Sequence, residues 1–184
     1  MLKIDSVAVL GTGVMGAQIA AHCANAGLKV FAFDMKQDIA ENGIQKATAI
    51  KPKAFYDKKD ISLIECCNYD DHLEKLKECD WIIEVISERL DWKQDLYNKI
   101  APYVNDKIVT SNTSGISLNE LTEGMEDNFK KNFFITHFFN PPRYMKLVEF
   151  IYSDLNSKEL ILEMAQFMED KLGKGIVYAK DTPN

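Results

Sequence analysis

What the sequence lacks narrows its possible roles first. No apolar run approaches the ~20 residues needed to cross a bilayer, so no helical membrane span is expected. No basic stretch stands out either. Acidic residues number 28 against 22 basic ones, a formal charge of −6, and a nucleic-acid partner is not indicated. Cysteine is sparse: Cys23, Cys66, Cys67 and Cys79 show no metal-type spacing, and adjacent Cys66 and Cys67 are poorly placed to pair with each other. Reduced thiols and no bound metal are expected, in a cytoplasmic protein. The opening Met1-Leu-Lys-Ile-Asp5 runs straight into a strand pattern and leaves no room for a signal peptide. Histidine is rare enough, with three in the chain, for each to be weighed separately.

What is present reads as one folded domain. Hydrophobic residues make up 46% of the 184, enough for a real core at this length. Strands are expected at 6–10, 29–34, 80–86, 107–111, 133–139, 146–152 and 175–180, with 61–67 ambiguous but long enough for a short one. Helices are expected at 14–26, ended by Gly27; at 38 to about 50, ended by Pro52; at 70–77; and at 91–101, where Trp92, Leu96 and Ile100 recur at a spacing of four. Ser117 and Glu120 form a capping-box pattern for a short helix through Glu123, and Asn156 is expected to cap a helix running to about Lys171. The Lys- and Asp-rich stretch 51–60 reads as a surface connection. Strands alternating with helices imply an α/β fold, a doubly wound and mostly parallel sheet with helices on both faces. The ending Asp181-Thr-Pro-Asn184 is abrupt and reads as a cut chain.

The first strand leads into Gly11-Thr12-Gly13-Val14-Met15-Gly16, a G-x-G-x-x-G pattern between a strand and a helix. That context makes it a Rossmann dinucleotide fingerprint. Gly11 permits the tight turn, Gly13 lets the backbone approach a pyrophosphate, and Gly16 lets the helix pack close to the strand. The helix N-terminus offers free N–H groups to the phosphates. Asp34 ends the second strand, 18 residues after Gly16, where a carboxylate accepts hydrogen bonds from the adenosine ribose. Its charge would repel a 2′-phosphate, so NAD is expected over NADP.

A dinucleotide fold fixes the cofactor, not the reaction. His22 reads as a surface or packing residue of the first helix, and His72, beside Asp70 and Asp71, as solvated. His137 lies within the apolar run Phe133-Phe-Ile-Thr-His-Phe-Phe139. On the residues alone, a satisfied core histidine and a general base are both open. Glu149 follows twelve residues later in Leu147-Val-Glu-Phe-Ile151, where a carboxylate is costly unless paired. A turn at Pro141-Pro142 would fold the second run back beside the first and join the two polar residues. Ser111-Asn-Thr-Ser-Gly115 follows a strand at the ligand-binding edge; it is either a polar loop before the capped helix or a set of hydroxyls for a substrate oxygen.

Together with Ile83-Glu-Val-Ile-Ser-Glu88, Met145-Lys-Leu-Val-Glu149 and Lys180-Asp-Thr-Pro183, these motifs resemble, from about Val7 to the end, the NAD-binding domain of L-3-hydroxyacyl-CoA dehydrogenases of fatty-acid β-oxidation. The forms Asn-Thr-Ser-Gly-Ile-Ser and Asp-Thr-Pro-Asn resemble the bacterial proteins that fuse this enzyme to an enoyl-CoA hydratase-like part. The resemblance implies roles: His137 the base, Glu149 its orienting partner, Ser114 a donor to the substrate oxygen, and Asp34 the ribose ligand. It also implies cofactor contacts at Glu88 and Lys93, with Asn140 near the nicotinamide. It implies that residues 1–184 are an NAD-binding domain, with a helical domain for substrate and homodimerisation absent from this chain. The segment 36–59 departs from the family's CoA-holding helical pair, so no CoA contacts are expected there. Two alternatives stay open: another β-hydroxyacid dehydrogenase using a lysine from a later helix, and a non-catalytic dinucleotide-binding protein of the same fold.

Overall fold

The computed structural model describes residues 2–182; Pro183 and Asn184, the last two of the abrupt ending, lie outside the described residues. In chain order the elements are β1 (Ser6–Leu10), α1 (Val14–Asn25), β2 (Lys29–Asp34), α2 (Gln37–Ala49), β3 (Ile64–Asn68), β4 (Trp81–Glu84) and α3 (Leu90–Ile100). There follow β5 (Ile108–Ser111), α4 (Leu118–Leu121), α5 (Asp127–Lys131), β6 (Phe133–Phe138), β7 (Leu147–Ile151), α6 (Lys158–Leu172) and β8 (Gly175–Tyr178). The strands form one sheet in the order β3-β2-β1-β4-β5-β6-β7-β8. Strands β3 to β6 along that order are parallel; β6 and β7 are antiparallel, and β8 runs parallel to β7. The chain winds outward in both directions from β1, so the strand order reverses between β1 and β4, and a ligand crevice is expected at their carboxyl ends.

Both faces of the sheet are covered, which explains why its central strands are continuous apolar runs rather than alternating ones. On one face Val7, Val9, Val30 and Trp81 pack against α1, α2 and α6. On the other, Ala8, Leu10, Phe31 and Ile82 pack with Leu96, Tyr97 and Ile100 of α3. The alanine-rich α1 is buried almost throughout, because small side chains let it lie close to the sheet.

The structure corrects several sequence expectations. The buried face of α3 is Lys93, Leu96, Tyr97 and Ile100, while Trp92 is 48% exposed. The cap of α6 is Ser157, whose hydroxyl accepts the Leu160 N–H at 3.1 Å. Asn156 instead accepts the Ser153 N–H and donates to the carbonyls of Lys130, Lys131 and Phe133, tying loop to strand. The stretch 51–60 is a surface connection only in part, since Ala54 and Phe55 join the core. Residues 58–63 form a 3-10 turn before β3, and the short polar helix is a 3-10 segment, Leu73–Glu78. The Ser117–Glu120 capping box is present.

His22 is buried on α1, as packing rather than surface. Its Nε2 lies 3.1 Å from the Leu172 carbonyl, so Nε2 carries the proton, and Nδ1 has no hydrogen-bond partner among the described residues. Burial, with the Lys174 charge adding to it, lowers its pKa from 6.5 to about 4, although the Leu172 carbonyl opposes the shift. The folded state therefore holds His22 neutral. Its stabilising effect is complete above pH 6.5 and is lost as pH falls towards 4. A shift of that size corresponds to about 3 kcal/mol. Urea unfolding between pH 7 and pH 4 should show that extra loss in the parent but not in His22→Gln; parallel pH dependences would contradict it.

Candidate active site

The crevice at the carboxyl ends of β1 and β4 is built on the glycine turn. Gly11 has φ +101°, and a Cβ there would sit 2.9 Å from the Val85 carbonyl oxygen. A Cβ on Gly16 would sit 1.9 Å from the Gly11 carbonyl oxygen, so α1 rests directly on the turn. Gly13 differs: nothing lies within 4 Å of its missing Cβ. No packing within the protein calls for glycine at 13; the open space belongs to the cleft. Gly13 also starts α1 without a side-chain cap and with no acidic residue in the first turn. The helix thus presents unsatisfied N–H groups and its positive end to an anion.

Asp34 is tied to the same turn. Its Oδ2 accepts the Thr12 N–H at 2.8 Å and the Thr12 hydroxyl at 2.6 Å, and Oδ1 accepts the Met35 N–H at 2.8 Å. Oδ2 thereby has both lone-pair directions taken, and Oδ1 keeps one for a ribose hydroxyl. Gly43 of α2, which sequence reasoning missed, lets that helix seat on the turn, since a Cβ there would meet the Thr12 carbonyl oxygen at 2.3 Å. Its signal was a glycine in mid-helix. Gly11, Gly13, Val14, Met15, Asp34, Glu88 and Ser114 line one cleft of about 750 Å³. Met35, Tyr69, Val85 and Ile86 line it too and were not expected. Thr12 lines an adjoining hollow against α2. We expect NADH to bind at least ~10-fold tighter than NADPH, roughly 1.4 kcal/mol from one carboxylate facing a 2′-phosphate. Fluorescence titration with both cofactors checks this, and equal affinities would overturn the role of Asp34.

Beneath the wall of the cleft lies a buried carboxylate that the sequence reading gave no role. Glu84, wholly buried at the end of β4, accepts at Oε1 from Lys93 Nζ (2.6 Å) and the Ile86 N–H (2.7 Å). Its Oε2 accepts from the hydroxyls of Tyr97 and Ser111, each at 2.6 Å. Lys93 is 1% exposed and turned to this internal pairing; its Nζ also lies 3.6 Å from Glu88 Oε2. Glu88 accepts from the Thr113 hydroxyl and from the N–H groups of Ser114 and Gly115. These bonds and the Lys93 charge hold its pKa below the usual carboxylate value, although the largest single influence, desolvation, acts upward. The Ser111–Gly115 loop is thereby fixed, with the Ser111 and Thr113 hydroxyls committed to Glu84 and Glu88. The Asn112 side chain accepts the Phe138 N–H at 2.8 Å and joins this loop to β6.

His137 and Glu149 face each other directly in the β6–β7 register, as the double-proline turn implied. Nδ1 of His137 lies 2.9 Å from Glu149 Oε2, with the side chains 19% and 33% exposed. With Nδ1–H donating its hydrogen bond to Glu149 Oε2, Nε2 is left as the basic position. The pair lies outside the residues lining the 750 Å³ cleft, as does Asn140, whose Oδ1 is 3.4 Å from Gln18 Nε2. His72 is half-buried and its Nδ1 accepts the Asn68 N–H, a local turn role. The four cysteines are unpaired, and burial raises the Cys23 and Cys79 thiols to about 12, far from thiolate chemistry at neutral pH. Among the described residues, no cluster of His, Cys, Asp or Glu is placed to hold a metal ion, and no helix is long and apolar enough to cross a membrane.

The glycine turn, the uncapped helix N-terminus and the acidic end of β2 fit a dinucleotide and define a Rossmann dinucleotide-binding domain. Comparison with known proteins narrows this further. The family model described as "3-hydroxyacyl-CoA dehydrogenase, NAD binding domain" matches residues 6–182, and the chain belongs to that family. A probable 3-hydroxyacyl-CoA dehydrogenase of Deinococcus radiodurans is 43% identical over 190 residues, covering 99% of this chain and 55% of that protein. A putative fatty acid oxidation complex trifunctional enzyme of Rickettsia felis is 43% identical over 191 residues, covering 98% of this chain and 26% of that protein. Among solved structures, the 3-hydroxybutyryl-CoA dehydrogenase of Escherichia coli K12 superposes with a TM-score of 0.86 at 27% identity, covering 99% of this chain and 39% of that one. The chain thus spans about half of the first relative and about a quarter of the second.

Proposed function

We propose that this chain is the cofactor-binding part of an NAD-dependent dehydrogenase that oxidises the 3-hydroxyl of L-3-hydroxyacyl-CoA to a ketone in fatty-acid β-oxidation. The observation that carries the reading is the His137–Glu149 pair at 2.9 Å, beside a cleft shaped for a dinucleotide. NAD, when bound, supplies the acceptor for the hydrogen leaving the carbinol carbon. The chain's own residues do the rest. His137 Nε2 takes the hydroxyl proton, while Glu149 holds the imidazole in the required tautomer and stabilises the imidazolium. Ser114 donates to the substrate oxygen. Asp34 holds the adenosine ribose, the 11–16 turn the diphosphate, and Glu88 and Asn140 the nicotinamide half, with Lys93 supporting Glu88 from below.

Leu147, two residues before Glu149 on β7, and Val177, opposite Glu149 on β8, lie exposed, so the acyl chain meets only one wall here. We place the opposite wall, and a homodimer contact, in a helical domain beyond residues 1–184, in keeping with the length of the relatives. The fatty acid oxidation complex relatives support a fused enoyl-CoA hydratase-like part, and four reduced cysteines suit the cytoplasm. The test is a substrate comparison with the full-length enzyme and NAD. Turnover of 3-hydroxybutyryl-CoA should exceed that of free 3-hydroxybutyrate by ~100-fold or more, since the thioester's remote contacts drive positioning. Equal rates would favour a β-hydroxyacid dehydrogenase, and no turnover of either with NAD bound would favour a non-catalytic role.

A further inference from the structure

One buried cation has no part in the chemistry above. Lys174 follows Gly173, the left-handed residue that ends α6, and is 3% exposed. Its Nζ donates to the carbonyl oxygens of Pro142 and Met145, the latter at 2.8 Å, and lies 5.9 Å from the Phe138 ring centroid. Among the described residues, no carboxylate joins it. Burial lowers its pKa to about 8. An ammonium held out of water without a counter-ion is costly, and an apolar side chain would fill the space more cheaply. Its presence has to be explained by what its donors hold.

They hold the connection between β6 and β7. That turn leaves β6 just after His137, carries Asn140, and enters β7 just before Glu149. Its far end is pinned by the neighbour of Lys174, because the Gly175 N–H donates to the Lys146 carbonyl at 2.7 Å. Its outer side is pinned by Arg143, which donates to the carbonyls of Lys53 and Phe55. At the near end, Asn140 is reached by Gln18 of α1. The turn is therefore held by α1, Arg143 and the Lys174–Gly175 corner, and among the described residues the carbonyls of Pro142 and Met145 lie outside the β6–β7 and β7–β8 ladders.

We infer that Lys174 is a positioning residue, whose ammonium clamps the Pro141–Lys146 turn and so sets where Asn140 meets the nicotinamide end of the cofactor. The inference rests on the reading that seats the nicotinamide on the β5–β6 side of the cleft. ADP-ribose and NADH separate the two questions. ADP-ribose carries the adenosine and diphosphate that Asp34 and the glycine turn hold, but no nicotinamide.

The experiment titrates the full chain with both ligands, for the parent, Lys174→Met and the milder Lys174→Gln, with folding checked by thermal melting. The parent should bind NADH more tightly than ADP-ribose and raise and blue-shift the NADH emission. Lys174→Met should lose ~10-fold in NADH affinity, together with most of that emission change, while ADP-ribose affinity moves less than about twofold. Lys174→Gln, which retains a donor within partial reach, should lose NADH affinity in the same selective way to a smaller degree. Parallel losses for both ligands, or unchanged NADH binding and emission in either folded variant, would overturn the inference. A parent that binds both ligands equally and leaves NADH emission unchanged would instead remove the nicotinamide seat, and with it the functional reading.

Discussion

In the full-length enzyme, His137→Gln should lower kcat by ~10²–10⁴-fold, the usual worth of a general base. NADH affinity should barely change, because the base acts on the substrate and lies outside the lining of the cofactor cleft. Glutamine fills much of the same space and can still meet Glu149, so the strand pair should survive. Glu149→Gln should also lower kcat, because the imidazolium then forms without a carboxylate beside it. The measurement is steady-state kinetics with acetoacetyl-CoA and NADH, paired with an NADH titration of each variant. Near-normal turnover in His137→Gln would remove the base role. A parallel collapse of NADH binding would mean that the substitution had damaged the fold instead.

Lys93→Met should be the most destabilising single change proposed for this domain. Glu84 and Lys93 are 0% and 1% exposed, and removing the cation leaves a wholly buried carboxylate without its counter-charge. Breaking such a pair from one side costs ~3–5 kcal/mol. The hydroxyls of Tyr97 and Ser111 and the Ile86 N–H would remain, which argues for the lower part of that range. Adding Glu84→Gln to Lys93→Met should recover part of the loss, because the neutral amide needs no counter-ion. Urea unfolding of the parent, the single variant and the double variant measures both effects. A loss below about 1 kcal/mol, the level of an exposed ion pair, would contradict the buried-pair account.

The fold was largely legible because its signals are local and physical. The glycine turn sits between a strand and a helix, and each of its three glycines has a distinct steric reason that the structure bears out or leaves to a ligand. The His137–Glu149 register was legible because two polar residues stood in apolar runs on either side of a double proline. The same logic applied to Glu84, a carboxylate inside Trp81-Ile-Ile-Glu84, but its partners are scattered. Lys93 is on α3, Tyr97 one turn on, and Ser111 at the end of β5, and only the packed sheet brings them together. The buried face of α3 was misread for a related reason. Spacing by four picked out Trp92, whereas the actual face includes Lys93, since a lysine counts as polar until its counter-ion is known. Asn156 lost the α6 cap to its neighbour Ser157 because three backbone carbonyls, two at the end of α5 and one at the start of β6, claimed its amide. Lys174 gave no sequence signal, because its partners are main-chain oxygens 29 and 32 residues away.

If the dinucleotide cleft and the His137–Glu149 pair form one site, a crystal structure of the chain with NADH bound should show the adenosine ribose within hydrogen-bond distance of Asp34 and the diphosphate on the N–H groups that open α1. The nicotinamide ring should lie on the β5–β6 side, with Ser114 and Asn140 beside it and His137 Nε2 across a gap the width of a substrate carbinol. A nicotinamide directed away from His137, or a ribose that leaves Asp34 untouched, would contradict the single site.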